Sequence, residues 1–152
     1  MILNVKIPVF VILLTFASCS NENIFNNIAQ INYGTSFGEC IGYCKHDMAL
    51  KPELISYKCA SWDTAIQAIE HSEKLDLSTW DSLKTNLNTK DFFDLPTTIG
   101  CPDCVDGGAE WVEILLNSGE VHKVTFEYNN EPVLLKNSVF KLRKLLGKNN
   151  CR

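Results

Sequence analysis

The sequence predicts an α+β domain in which an antiparallel sheet, built from two β-hairpins and an N-terminal strand, carries helices packed on one face. Two observations lead to this. Alternating apolar and polar residues flank short turns within residues 46–60 and again within residues 109–128. Apolar residues at helical spacing follow within residues 78–87 and 132–147. Because a period of two favours strands and a period near 3.6 favours helices, the predicted order is β-ββ-α-ββ-α.

The first strand and the first hairpin are predicted by alternation and by turn residues. Residues 28–38 alternate large and small side chains and form an extended segment. Residues 38–44 are rich in glycine and cysteine, which indicates a compact loop. The hairpin pairs residues 46–50 with 54–60 across a turn that contains Pro52, whose fixed φ suits a first central turn position.

Residues 62–95 contain three segments with helical patterns, of which the first is ambiguous. Residues 62–77 are expected to form a short helix with one apolar face, made of Ala65, Ala68, Ile66 and Ile69. Ser78 is expected to cap the next helix together with Asp81, as in a capping box. One face of that helix holds Trp80, Leu83 and Leu87. Residues 91–95 are expected to add a helical turn that ends before Pro96.

The second hairpin is the clearest element. Residues 109–116 and 121–128 flank a turn in which Gly119 is placed for a positive φ. One face of the hairpin is apolar and consists of Val112, Ile114, Leu116, Val124, Phe126 and Tyr128. Trp111 and Glu113 point to the opposite face, where Trp111 is either a contact residue or covered by the N-terminal segment or Trp62.

The last helix is expected to begin near Pro132 and to end near Gly147. Its apolar stripe consists of Leu135, Val139, Leu142 and Leu146. Basic residues cluster in its last turns: Lys141, Arg143, Lys144 and Lys148. Because cations at a helix C-terminus offset the helix dipole, we interpret them as stabilising the helix rather than as binding an anion.

The N-terminal residues have the parts of a bacterial secretion signal. A short basic start precedes the apolar run 7–16, which is shorter than the roughly 20 residues that cross a bilayer as a helix. Ala17 and Ser18 are small, as a signal peptidase requires, and Cys19 is the expected site of lipid attachment. Phe16 stands where such motifs usually carry leucine. Cleavage without lipid and an uncleaved anchor are the rival hypotheses.

Three segments follow from this interpretation. Residues 1–18 are a lipoprotein signal peptide, residues 19–27 are a flexible tether, and residues 28–152 are a single α+β domain. The protein is therefore expected to be lipid-anchored to a bacterial membrane in the cell envelope, periplasmic or surface-facing, with a possible envelope protein as partner. The formal net charge of −4 and the lack of a basic run argue against binding to nucleic acid.

Six cysteines remain after Cys19, an even number that predicts disulfides in an oxidising compartment. Cys44 and Cys59 flank the first hairpin at similar distances from its turn, and a cross-strand bridge is expected there. Cys101–Cys104 is the second expected pair. Cys40–Cys151 then remains by elimination.

The run Cys101-Pro102-Asp103-Cys104-Val105-Asp106-Gly107-Gly108-Ala109-Glu110-Trp111 is the most distinctive motif. It resembles a signature of small secreted or lipid-anchored bacterial domains of uncharacterised function, as does the earlier run Phe37-Gly38-Glu39-Cys40-Ile41-Gly42-Tyr43-Cys44. The resemblance implies the fold and the compartment, and it implies no activity.

Three hypotheses compete for this motif. The first is a structural disulfide followed by a glycine turn. The second is thiol redox chemistry of Cys101 and Cys104, which Asp103 and Asp106 would disfavour by raising the thiol pKa. The third is a metal site, either zinc held by the four thiolates of the two loops or calcium held by oxygen ligands. The calcium ligands would come from Glu39, Asp103, Asp106 and Glu110.

No catalytic set is predicted, because His46, His71 and His122 have no recognisable spacing to a nucleophile or an acid. The function that the sequence favours is a binding or accessory module without metal or cofactor. Its candidate binding surface comprises Trp111, Asp103, Asp106 and Glu110. The alternative is a thiol-redox or metal-binding protein that uses Cys101 and Cys104.

Overall fold

The computed structural model describes residues 27–148, which contain seven β-strands and three α-helices. The strands are β1 (Ile28–Ser36), β2 (Lys45–Lys51), β3 (Leu54–Ala60), β4 (Ile69–Lys74), β5 (Thr98–Ile99), β6 (Ala109–Leu116) and β7 (Val121–Glu127). The helices are α1 (Leu77–Asn86), α2 (Thr89–Phe93) and α3 (Lys136–Leu146). The predicted signal peptide and Cys19 lie outside the described residues.

The strands form one sheet in the order β4-β3-β2-β1-β6-β7-β5. Every neighbouring pair is antiparallel except β5 and β7, which run parallel. The prediction of an α+β fold with an antiparallel sheet is therefore confirmed at the level of fold class. The predicted order had five strands, and the structure adds β4 and β5.

The core lies against one face of the sheet. Register places Tyr33 beside Met48 and Val112, and all three are buried. The same core cluster includes apolar residues from all three helices: Trp80, Leu83, Phe92, Val139 and Leu142. Their alternates on the opposite face, such as Asn32 and Glu113, are polar and partly exposed, so burial follows the period of two along each strand.

The sheet has two ends that differ in character. At one end, here called the turn end, short turns join β2 to β3 and β6 to β7, and Asn27 accepts a backbone hydrogen bond of 2.7 Å from Asn117. At the other end, here called the loop end, Ser36 is the register partner of both Lys45 and Ala109. Because β1 runs from one end to the other over 9 residues, the ends lie roughly 30 Å apart.

The helix expected over residues 62–77 is wrong, because the second half of this segment is the edge strand β4. Ile69 is the register partner of Cys59 in β3. Polar cross-strand pairs then favour the strand: Lys58 forms an ion pair of 2.6 Å with Glu70, and a 2.7 Å hydrogen bond joins the hydroxyls of Ser56 and Ser72. The apolar face of the predicted helix is not used, since Ile69 is exposed.

The predicted cap at Ser78 is also wrong. Helix α1 begins two residues earlier than predicted, with Asp76 in the N-cap position, and the Ser78 hydroxyl donates a hydrogen bond to the Asp76 carboxylate. At the other predicted boundary, Gly147 caps α3, and its N–H donates to the Arg143 carbonyl at 2.8 Å. A 3₁₀ turn, Val133–Leu135, separates Pro132 from α3, so Pro132 precedes the helix instead of beginning it.

Candidate binding surface at the loop end

The first component of the loop end is the loop that leaves β1 and returns as β2. A disulfide joins Cys40 to Cys44, with their Cα atoms 5.7 Å apart, and the Phe37 N–H donates to the Cys44 carbonyl at 3.1 Å. Gly42 has a φ of +88°, a conformation that glycine adopts without steric penalty. The Ile41 side chain at the tip of this loop is fully exposed.

The second component is the loop that leads into β6. A disulfide joins Cys101 to Cys104, with a Cα separation of 5.5 Å. The Cys101 N–H donates to a Glu127 carboxylate oxygen at 2.8 Å, and the Asp103 N–H donates to the Gly108 carbonyl at 3.1 Å. The loop is therefore closed on itself by a covalent bond and fixed to the end of β7 by a charge-assisted hydrogen bond.

The two loops pack against each other. The Gly38 N–H donates to an Asp103 carboxylate oxygen at 3.3 Å. The Phe37 ring packs directly on Gly108, since a Cβ added to Gly108 would lie 2.6 Å from Cδ1 of Phe37. The Trp62 indole N–H donates to the Phe37 carbonyl at 2.7 Å, which brings the β3–β4 connection to the same place. Three chain segments that are distant in sequence thus form one surface.

The second loop holds non-glycine residues in the left-handed backbone region. Asp103, Val105 and Asp106 have φ values of 60°, 49° and 59°. This region is unfavourable for a β-branched side chain such as valine, and each such residue costs on the order of 1–3 kcal/mol unless its surroundings enforce it. Val105 is nevertheless fully exposed, so burial of its side chain does not offset this cost.

The loop end therefore presents apolar side chains within an acidic rim. Ile41 and Val105 are fully exposed, and Trp62 is half-exposed with the Lys45 ammonium 5.5 Å from its ring centroid. Exposed acidic residues from the same loops are Glu39, Asp103 and Asp106. Exposed apolar side chains framed by polar ones are typical of protein–protein contact sites.

A buried ionic cluster supports this end from behind. Glu110 in β6 is completely buried, and the Arg143 guanidinium of α3 donates to its two carboxylate oxygens at 2.8 Å and 2.6 Å. The Tyr33 hydroxyl and the Asn129 N–H donate to the same carboxylate, and Arg143 also pairs with Glu131 at 2.6 Å. The cluster joins β1, β6, α3 and the residues after β7, so it fixes the loop end to the core.

The electrostatics of this cluster are those of satisfied buried charges. Burial and the neighbouring Glu110 carboxylate raise the pKa of Tyr33 above its ordinary value, so the phenol stays protonated and donates. Burial alone would lower the pKa of Arg143, but Glu110 and Glu131 hold it above its ordinary value. A cavity of about 330 Å³ adjoins Tyr33 and Arg143, and both side chains are already engaged by Glu110. We therefore assign the cluster a structural role.

The four residues of the predicted binding surface are not brought together. Asp103 and Asp106 lie in the exposed disulfide loop, as expected. Glu110 is completely buried, so the prediction that it belongs to a contact surface is wrong. Trp111 is only 9 % exposed and lies on the opposite face, packed over Gly34 with the Lys123 ammonium 4.5 Å from its ring centroid.

One predicted disulfide is present, and the other two are not. Cys101 pairs with Cys104, as expected, but Cys44 pairs with Cys40, so the predicted Cys44–Cys59 and Cys40–Cys151 pairs are wrong. The Cys40–Cys44 bridge closes a short local loop instead of crossing the hairpin. Cys59 is disulfide-bonded to a partner outside the described residues. By count, the cysteines left for that bond are Cys19 and Cys151.

The metal and redox hypotheses find no support in the described part of the chain. Within residues 27–148, no group of three or more histidine, cysteine or acidic side chains is arranged to hold a metal ion. The four loop cysteines are paired as disulfides. The surroundings of the Cys101–Cys104 disulfide are acidic, since Asp103 and Asp106 lie in the same loop and the Glu127 carboxylate accepts a hydrogen bond from the Cys101 N–H. Negative charge nearby disfavours the thiolate that redox exchange requires.

The histidines occupy separate positions with structural contacts. His46 Nε2 lies 2.9 Å from the Tyr43 carbonyl, and His122 Nε2 lies 2.9 Å from the Leu95 carbonyl. His71 stacks on Tyr57 with ring centroids 4.9 Å apart. Each histidine is held by a neighbour in its own part of the fold, and the structure does not assemble them into one site.

Sequence reasoning missed the apolar residues of the surface: Ile41, Trp62 and Val105. A signal was present for two of them. Ile41 lies between Cys40 and Cys44, and Val105 directly follows Cys104. Closely spaced cysteine and glycine residues indicate a surface loop, where an aliphatic side chain is more exposed than in a strand.

No helix among residues 27–148 has the length and apolarity needed to cross a membrane. Comparison of the chain with protein-family models gives no match. Comparison with curated proteins gives no match either. The fold and the loop-end geometry are therefore the observations on which a function has to be based.

Proposed function

We propose that this protein is a lipid-anchored binding module of the cell envelope, which presents its loop end to a protein partner. One observation carries the proposal: two fully exposed aliphatic residues, Ile41 and Val105, sit on adjoining disulfide-closed loops at the end of the sheet opposite to Asn27. A chain tethered at Cys19 enters the domain at the turn end. The loop end then lies roughly 30 Å further from the attachment point.

The partner of this surface is a protein with an apolar recess bordered by lysine or arginine side chains. The apolar part follows from Ile41, Val105 and Trp62, and the basic part follows from the acidic rim of Glu39 and Asp103. Complementary charge at the rim steers the encounter and selects the partner, while buried apolar contacts supply most of the affinity. The two disulfides keep the loops ordered before binding, which lowers the entropy lost on association.

The surface is tested by charge placed at its centre. The double variant Ile41→Glu/Val105→Glu and the matched double variant Leu54→Glu/Val121→Glu are expressed in the native host, since Leu54 and Val121 are half-exposed aliphatic residues at the turn end. After chemical crosslinking of intact cells, the first variant should lose the high-mass complexes of the wild type, and the second should retain them. Loss in both variants, or in neither, contradicts the proposal.

The anchor is tested by a chemical map of the cysteines. Metabolic labelling with a fatty-acid probe should mark the wild type and not Cys19→Ala. If Cys19 is acylated, it cannot pair, and Cys151 is then the only cysteine left for Cys59. Peptide mapping without reduction should therefore find a Cys59–Cys151 bridge. A Cys19–Cys59 bridge would show that the chain is not lipidated at Cys19, while leaving the loop-end surface to its own test.

A further inference from the structure

A second candidate site lies between α1 and α3, away from the loop end. A groove of about 380 Å³ is lined on one side by three hydroxyl side chains of α1, which are Ser78, Thr79 and Ser82. On the other side it is lined by three lysines at the C-terminal half of α3 and just beyond it, which are Lys141, Lys144 and Lys148. Leu145 completes the lining, and no carboxylate belongs to it.

The three lysines share one helix face because they are spaced by three and four residues. Ion pairs in the described part of the chain engage Lys58, Lys84, Lys90 and Arg143, and none of the groove lysines. Lys141 donates to the Ser82 hydroxyl at 2.5 Å, a contact that positions its ammonium and leaves its charge unneutralised. Three like charges are thus held side by side without an internal counter-ion in residues 27–148.

The helix dipole accounts for only part of this arrangement. Its effect is confined to the last turn of a helix, which contains Arg143 and Lys144 but not Lys141. Arg143 is turned to the other side of α3, where Glu110 and Glu131 neutralise it. Asp76 accepts a hydrogen bond from Ser78 and Asp81 pairs with Lys84, and neither carboxylate lines the groove. The groove as a whole is therefore cationic.

We propose that the groove between α1 and α3 binds a phosphate group, with Lys141, Lys144 and Lys148 as charge partners and the Thr79 and Ser82 hydroxyls as hydrogen-bond donors. Ammonium groups bind phosphate as point charges, and hydroxyls add directional donors to its several oxygens. The groove volume is at the lower end of the range of about 300–1,000 Å³ for small-molecule sites, so it has room for an organic group esterified to the phosphate. A soluble phosphate ester and a phospholipid headgroup share this chemistry.

The test is an NMR titration of the ¹⁵N-labelled full-length protein at constant ionic strength. Separate arms use glycerol 3-phosphate, dihexanoyl phosphatidylglycerol below its micelle concentration, and sodium chloride. A phosphate site predicts saturable shifts of the Ser78, Thr79 and Ser82 amides with at least one phosphate probe and none with chloride. Saturation with glycerol 3-phosphate identifies a soluble ester, and saturation with the lipid alone identifies a headgroup.

Matched variants decide whether the groove is responsible. The triple variant Lys141→Gln/Lys144→Gln/Lys148→Gln should bind the effective probe about tenfold more weakly or worse, since three positive charges that line the groove are removed. Lys51→Gln/Lys90→Gln/Lys136→Gln removes the same charge from exposed positions outside the groove and should bind like the wild type. Shifts that do not saturate, shifts with chloride alone, or equal weakening in both triple variants would overturn the proposal. This test does not depend on the loop-end surface.

Discussion

The two ends of the sheet reverse the chain by different means. At the turn end, Gly119 has a φ of +88° with no atom close to where a Cβ would stand, so ordinary turn chemistry is sufficient. At the loop end, φ is positive at five of the nine positions from 100 to 108, namely Gly100, Asp103, Val105, Asp106 and Gly108. The Cys101–Cys104 disulfide and the hydrogen bonds from Cys101 to Glu127 and from Gly38 to Asp103 hold that conformation.

The difference shows where local and long-range interactions each dominate. The Gly119 turn meets its backbone requirements with residues that are adjacent in sequence, and a backbone hydrogen bond from Asn117 to Asn27 adds one long-range contact at this end. The loop end combines backbone conformations that its residues disfavour with contacts from β1, β3, β7 and α3. Such strain persists where the surroundings enforce it, and it concentrates at functional sites. The comparison therefore favours the loop end as the surface that acts.

The largest expected effect is at the buried ionic cluster. Glu110→Ala leaves the partly buried Arg143 paired with Glu131 alone and leaves the buried Tyr33 hydroxyl without its acceptor, so we expect a loss of about 3–5 kcal/mol in the free energy of unfolding. Glu113→Ala is the matched control, because Glu113 lies on the opposite face of β6 and its carboxylate accepts a hydrogen bond only from Asn32 among the described residues. This substitution should lower the free energy of unfolding by about 1 kcal/mol. Urea denaturation measures both, and equal losses would refute the structural role of the cluster.

The next effect compares a glycine at each end. Gly108 and Gly119 have φ values of +84° and +88°, so alanine is strained equally at both, by about 1 kcal/mol or more. At Gly108 a Cβ would also collide with the Phe37 ring, and this should add about 1–3 kcal/mol. Thermal unfolding should rank Gly108→Ala well below Gly119→Ala. The same melting temperature for both variants would mean that the two loops do not pack as described.

A smaller effect is expected from the disulfide of the second loop. Chain-entropy arguments assign about 2 kcal/mol to a bridge that closes so short a loop. The free energy of unfolding of Cys101→Ala/Cys104→Ala, measured with urea, should therefore be lower by about 2 kcal/mol. The amide exchange of residues 100–108 should also accelerate, while residues 117–120 at the turn end stay unchanged. Uniformly faster exchange at both ends would show that the bridge stabilises the whole domain and not the loop.

The smallest effect is a pH dependence. The Cys101 N–H and the Asn130 side chain hold the pKa of Glu127 below its ordinary value. A carboxyl whose pKa is depressed on folding contributes stability above its unfolded pKa of about 4.3, and that contribution is lost as pH falls through the folded value. Glu127→Gln should therefore lose less stability than the wild type on acidification below about pH 4.3. Parallel acid-unfolding curves for the two proteins would contradict the contact with Cys101.

Much of the fold could be predicted from the sequence because its signals are local. The second hairpin follows from the alternation that ends at Leu116 and resumes at Val121, and Gly147 caps α3 as its position indicates. Strand β4 could not be found in this way. Its register depends on pairs such as Lys58–Glu70 that exist only once β3 is in place, and isolated propensity favoured a helix there.

The site was predictable only in part, for the same reason. The cysteine motif marks the second loop, but the partner of Cys44 depends on how tightly residues 40–44 turn, which spacing alone does not determine. Glu110 and Trp111 are adjacent in the motif, yet the pleat places one in the buried cluster and the other on the open face. The lysines of α3 were visible in sequence, but their hydroxyl partners on α1 became apparent only from the packing of the two helices.

The central claim is that the loop end, and not the turn end, contacts the partner. The most direct test is site-specific photo-crosslinking in intact cells, with a photoreactive residue at Val105 in one strain and at Val121 in another. Both positions are exposed valines, one at each end of the sheet. The account predicts a discrete protein adduct from position 105 that disappears in the Ile41→Glu background, and none from position 121. An adduct from position 121 with none from position 105 would contradict it.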